Sequence, residues 1–200
     1  MAVTLVVKTE PWWITDREVD AMIEAARTSG DVGRRHLNAT MLSLTFYLGL
    51  RPREATELRL GDVSLKDRTI LVRGRGDGAK LYPLDARRID LLERLVKLPM
   101  PKTYVFAPSR SLKIVNDQVQ HNRMTCQTFT RTVKALAVHA GIIRPIAPQM
   151  FRYGCGIHMA RSLVAPQGIK DWLDYRTFNE VNEMISVVSR SPEDALRRFG

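Results

Sequence analysis

"LGLRPREATELRLGDVSL", residues 48–65, decides how the rest of the chain is read. An apolar run reaches Gly49, then come Arg51, Glu54 three residues on, a leucine-rich turn, Asp62 and a strand-like Val63–Leu65. An arginine at the end of an apolar helix is costly to bury without a partner. Glu54, at the i+3 position, is placed to hold its guanidinium. An isolated Arg-x-x-Glu is usually a surface ion pair, so its meaning depends on what surrounds it.

Upstream, "ITDREVDAMIEAARTSG" carries a capping box, Thr15 as N-cap and Glu18 at N3. Val19, Ile23 and Ala26 line one helical face, and Gly30 stops the helix. A second helix over about 33–49 has Leu37, Met41, Leu44 and Leu48 on one stripe and Leu42 and Phe46 off it, so it is apolar nearly all round and central to a core. Downstream the period changes. Thr69–Val72, a glycine-rich turn and Lys80–Leu84 give a hairpin signal. A helix follows with Ile89, Leu92 and Val96 on one face, then a short strand in "TYVFAP". Residues 109–124 are polar and read as a loop. Further helices are expected over about 126–140 (Phe129, Val133, Leu136, Ala137, Ala140) and 148–163, with short helical pieces within 168–187 and a last capped turn at Ser191 and Pro192. The expected fold class is α+β, mostly α with a small antiparallel β-sheet. Residues 1–13 are an N-terminal extension and 14–200 one domain, without repeats or linkers.

The 200 residues are 44% hydrophobic, enough for one sizeable core. No apolar run reaches the roughly 18 residues of a membrane span, and the N-terminus lacks the parts of a signal peptide. The reading is a soluble, cytoplasmic protein of bacterial type, nucleoid-associated, with no membrane partner. Cys126 and Cys155 form neither a framework nor a CxxC pair and read as reduced, buried thiols. Thirty-one Lys and Arg against 21 Asp and Glu leave a net charge of +10 and a pI near 10.1. That excess is the footprint of a polyanion partner, nucleic acid first and an acidic membrane surface second. His36, His121, His139 and His158 have no mutual spacing that suggests a metal, and no metal or cofactor is expected. Trp12 and Trp13 read as packing on the first helix rather than stacking on bases. The glycine-rich 73–80 lacks the GKS/T ending of a phosphate loop.

About a hundred residues after Arg51, "AGIIRPIAPQMFRYGCGIHMA" places Arg152 one turn into a helix. Two guanidinium forks converging from separate helix ends would clamp one phosphate. In this order the segments resemble the catalytic domain of the tyrosine recombinases, the phage-integrase-like enzymes. That pattern runs "TGLRxxE…LxxxDI", a small sheet with "GKGxKxRxxPL", a helix ending "AGI", then "HxLRH", "LGH" and, nine residues later, a tyrosine. Here "LGLRPREATELRLGDVSL", "GRGDGAKLYPL", "VKALAVHAGI", "PQMFRYG" and "IKDWLDY" fill those places over about residues 14–188.

The resemblance implies a scissile phosphate held between Arg51 and Arg152, with Glu54 positioning Arg51. It implies attack by a tyrosine hydroxyl, giving a 3′-phosphotyrosine and a free 5′-hydroxyl, without metal or nucleotide. Charge neutralisation by the arginines is a large share of such catalysis. The chain departs from the pattern where bonds are made and broken. The lysine of "GKG" is Arg75, whose proton is held too tightly for a good acid. The first histidine of "HxLRH" is Gln149, which cannot shuttle a proton at neutral pH. The histidine of "LGH" is Tyr175, the nucleophile position holds Met184, and no tyrosine follows Tyr175.

A thioether cannot replace a phenolic oxygen at phosphorus. The expectation is therefore a protein that binds double-stranded DNA through Arg51, Arg152, Arg75, Lys80, Gln149 and Tyr175 with no catalytic residue of its own: a regulator, accessory factor or non-cleaving subunit in DNA integration or recombination. Self-association or a recombinase partner goes with that reading. One alternative is an active recombinase that uses Tyr175, uses Tyr153, which points about 100° away from Arg152, or takes a tyrosine in trans. The other is a protein-interaction scaffold without DNA binding. Only 13 residues precede the first matching segment, which implies the short single-domain form, such as the recombinases that invert fimbrial promoters, without the N-terminal helical domain of larger members.

Overall fold

Local signals set the helix boundaries. In the computed structural model, which describes residues 11–74, 78–97, 103–107, 112–115, 118–121 and 123–189, helix α1 (Asp16–Thr28) opens on the capping box read from the sequence. The Thr15 hydroxyl accepts from Glu18 N, and Glu18 Oε2 accepts from Thr15 N at 2.8 Å. Asp31 caps α2 (Val32–Leu48), and Gly49 ends it with φ 63. A Cβ there would overlap Leu173, so the left-handed turn and the close approach both call for glycine. From Asn38 onward α2 is buried almost all round. Helix α3 (Pro52–Glu57) starts with Arg51 as N-cap and Pro52 at N1.

A three-stranded antiparallel sheet follows in the order β1 (Val63–Ser64), β2 (Thr69–Arg73), β3 (Ala79–Pro83). Its register pairs Val63 with Ile70 and Val72 with Lys80, turning Ile70, Val72 and Tyr82 into the core. Helix α4 (Ala86–Lys97) buries Ile89, Leu91, Leu92 and Leu95, and Val96 is exposed. The expected Ile89–Leu92–Val96 face is thus rotated. The buried arc centres between Leu92 and Leu95, and Ile89 and Val96 fall at its edge.

Three further expectations change. "TYVFAP" makes a single antiparallel bridge, Arg59 with Tyr104, rather than a strand. Val105 N donates to Leu58 O and Leu60 N to Thr103 O, and Phe106 is fully buried. The expected loop over 109–124 contains a second hairpin, β4 (Leu112–Val115) paired with β5 (Gln118–His121). Cys126, expected buried, is exposed in the first turn of α5 (Cys126–His139). Cys155 is buried as expected. The last capped turn at Ser191 lies outside the described residues.

Helices α6 (Gln149–Arg161), α7 (Pro166–Trp172) and α8 (Asn179–Ser189) close the fold. The expected short pieces within 168–187 are the last two of these, and α8 is three turns long. Two buried clusters result. The larger joins α1, α2, the sheet, α4 and α5 around Met41, Leu44, Phe106, Phe129 and Phe151. The smaller joins Cys155, Ile157 and Ala160 of α6 to Ile169, Leu173, Val181, Met184 and Val188. Helix α6 belongs to both, with two glycines at the closest approaches. A Cβ on Gly154 would meet the Ile14 carbonyl and the Phe46 ring, and one on Gly156 would meet Met184 Sδ. The Pro11–Trp13 segment is tied down by Arg144, which donates to Pro11 O at 2.6 Å, Trp13 O at 2.7 Å and both Glu18 oxygens. Trp12 and Trp13 pack edge to face, and Trp12 also meets Tyr153, so packing is their role in the fold. Among the described residues no helix is long and apolar enough to cross a membrane.

Candidate functional site

The seam between the two clusters brings the ends of α2, α6 and α7 together. Arg152, one turn into α6, is only 5% exposed. Its Nη1 donates to Gly49 O at 2.7 Å, where α2 ends two residues before Arg51. Its guanidinium lies over the Tyr175 ring, 4.6 Å from the centroid. Its Nη2 is buried without a hydrogen-bond partner in the protein. A buried guanidinium normally fills its donor positions, and leaving one empty costs on the order of 1–3 kcal/mol.

Arg51 is held differently. Glu54 reaches back to the start of α3, accepting from Arg51 N at 2.8 Å and from Nη1 at 2.6 Å. The same carboxylate therefore caps the helix and fixes the side chain. Arg51 Nη2 donates weakly to Asp174 O at 3.4 Å, and Nη1 lies 3.9 Å from Asp174 Oδ2. Burial pulls the Arg51 pKa down, but the hydrogen bond and charge of Glu54, with Asp174 behind them, leave it raised. The guanidinium is permanently charged and still 40% exposed.

Strand β3 supplies the third group. Lys80 Nζ donates to Asp171 O and lies 4.9 Å from the centroid of the Tyr82 ring. The Tyr82 hydroxyl donates to Trp172 O at 2.8 Å. Burial lowers the Lys80 pKa, opposed by the charges of Asp174 and Asp171 and aided by that of Arg152. Burial raises the Tyr175 pKa against both the charge of Arg152 and a polar contact of the hydroxyl with that guanidinium. The Cys155 thiol, one residue-triplet beyond Arg152, is pushed up to about 12 by burial even though that arginine opposes it, which marks a dry environment.

The two arginines, Glu54, Lys80 and Tyr175 are therefore brought to one place, around residues 171–175. Gln149 donates from Nε2 to the Tyr153 hydroxyl at 3.3 Å. Arg75 lies outside the described residues. Met184 is 0% exposed, in the α8 stripe of Val181, Met184 and Val188. Asp171, Trp172 and Asp174, whose carbonyls receive Lys80, Tyr82 and Arg51, were not singled out in the sequence. A carbonyl acceptor leaves no mark on residue type. Among the described residues no group of three or more His, Cys, Asp or Glu could hold a metal ion.

This site sits in a chain whose residues 12–187 match the phage integrase family. The chain belongs to that family. Tyrosine recombinase XerD of Vibrio vulnificus (strain YJ016) is 29% identical over 147 residues, 73% of this chain and 47% of that protein. XerD of Listeria innocua is 25% identical over 186 residues, 91% of this chain and 60% of that protein. Among solved structures, XerA recombinase superposes with a TM-score of 0.73 at 20% identity, covering 96% of this chain and 63% of that one. A lambda integrase dimer bound to a COC′ core site gives 0.65 at 14% identity, covering 90% and 49%. The fold is that of a tyrosine recombinase catalytic domain. The chain spans less than two thirds of each of these proteins.

Proposed function

We propose that this phage integrase family member grips the phosphate backbone of duplex DNA with Arg51 and Arg152 and does not cut it. The observation that carries this reading is the convergence of Arg51, Arg152 and Lys80 from three elements, with Arg152 Nη2 buried and lacking a protein partner. With the Tyr175 ring moved off the guanidinium it now covers, a phosphate oxygen would satisfy that donor, and a second fork beside it would make the contact bidentate across two residues. The net charge of +10 adds long-range attraction. Several recombinases of this fold have been solved on DNA, among them XerH on a difH substrate and the Tn1549 transposon integrase in complex with DNA.

Two residues support the absence of cleavage. At the nucleophile position stands Met184, packed against Gly156. Gln149, at the place of a histidine, bonds Tyr153. The protein would then serve as a regulator, an accessory factor or a non-cleaving subunit in DNA integration or recombination, located on the nucleoid. A second reading, attack by Tyr175, draws on its place over Arg152, although its ring there covers the guanidinium.

One pair of assays tests both. The chain should retard duplex DNA in a native gel at low salt, and Arg51→Ala with Arg152→Ala should weaken the shift. A nicked suicide substrate should leave no covalent adduct. Absence of any shift ends the DNA reading. A trapped adduct that Tyr175→Phe abolishes replaces it with the active enzyme.

A further inference from the structure

Helix α7 ends in a turn that turns back on the site. Leu173 N donates to Ile169 O at 3.0 Å, Asp174 N to Asp171 O at 3.2 Å and Tyr175 N to Lys170 O at 3.0 Å. This closure puts Asp174 at φ 50, in the left-handed region where glycine is the usual occupant of a helix end. The family pattern "LGH" has glycine at that place, and this chain has "LDY". A non-glycine residue held there carries a conformational cost. The acidic side chain it brings faces Arg51, Oδ2 to Nη1 3.9 Å, and its own carbonyl takes Nη2 of the same arginine.

The neighbouring contacts have the same sense. Lys80 is turned to Asp171 O, and the Asp171 and Asp174 carboxylates both raise its proton affinity. Glu54 holds the other side of Arg51. The cations Arg51, Arg152 and Lys80 thus stand among three carboxylates, Glu54, Asp171 and Asp174, in a protein whose overall charge is +10. Glu54 has a structural reason to be there, because it caps α3. Asp174 has none: its side chain is 75% exposed and its conformation suits glycine better.

We propose that Asp174 is an affinity-setting residue, a built-in anion that competes with the DNA phosphate for Arg51. It rests on the phosphate-clamp reading above. A DNA backbone approaching Arg51 must displace the Asp174 carbonyl and carboxylate, so binding is weaker than the same arginines would give alone. Such a residue keeps contact with non-specific DNA transient and leaves tight binding to sites that offer further contacts.

The test is fluorescence anisotropy with a fluorescein-labelled duplex over a KCl series, comparing the native chain, Asp174→Asn, Asp90→Asn and the Arg51→Ala/Arg152→Ala pair. Asparagine tolerates the left-handed turn, and circular dichroism checks that the fold is kept. Removing one exposed carboxylate a few ångströms from a phosphate is expected to tighten Kd about fivefold. The salt dependence should steepen, because a freed Arg51 displaces more counterions. Asp90, on the exposed face of α4 and paired with Arg94, controls for net charge. Equal Kd for Asp174→Asn and the native chain, or an equal gain from Asp90→Asn, overturns the proposal. Equal Kd for the Arg51→Ala/Arg152→Ala pair and the native chain overturns the clamp reading instead.

Discussion

The two arginines of the site reach the same place by opposite means. Arg51 is half-buried, ion-paired and held by a carboxylate three residues along its own chain segment. Arg152 is buried, tied to a backbone carbonyl 103 residues away and laid on an aromatic ring. The first arrangement fixes a charge at low cost and leaves it screened by water. The second needs the whole core to exist and excludes water, so each bond it makes counts for more. One site therefore holds a local, adjustable cation and a global, fixed one.

That contrast can be broken by conservative substitution. Arg152→Lys keeps the charge but loses the fork. It should weaken DNA binding about 30-fold or more, in line with loss of a buried charge-assisted hydrogen bond of about 2–3 kcal/mol, and should lower the melting temperature. Arg51→Lys should cost only about threefold in binding, with melting unchanged. Equal losses for the two, by anisotropy and thermal melts, would show that burial makes no difference. A smaller effect sharpens the role of Glu54. Glu54→Ala uncaps α3 and releases Arg51, for about 1 kcal/mol of stability by thermal melt.

The smallest effect concerns the far end of α6, where His158 Nδ1 pairs with Asp16 Oδ2 at 3.0 Å. The Asp16 hydrogen bond raises the His158 pKa, with burial opposing. A raised folded-state value means the contribution is fully present below the unfolded pKa of about 6.5 and is lost as pH rises through the folded value. Half-exposed, the pair is worth about a few tenths of a kcal/mol. Melting temperature should fall slightly as pH rises from about 6.5, and His158→Gln should remove that slope.

What the sequence made legible follows the same division. Thr15, Glu18, Arg51 and Glu54 were readable because their partners lie within a few residues, and the structure pairs them as expected. Arg152 was readable only through the order of motifs, since nothing beside it names Gly49 O as its acceptor. The hairpin over 112–121 was hidden by polar composition, because strand pairing is a backbone property. Val96 shows the limit of periodicity: seven residues return nearly to the starting angle, yet the neighbouring helix covered a different arc. Asp174 needed coordinates, since a left-handed aspartate facing an arginine far away in sequence has no local signature.

Helix α6 carries Gly154 and Gly156 in its middle, each about 1 kcal/mol less favourable than alanine there. As a free peptide this segment has little reason to coil. It becomes helical only once Ile14 and Phe46 press on one side and Met184 on the other. Its helical order is therefore coupled to those contacts, so the same packing that joins the two buried clusters also sets Arg152 in place.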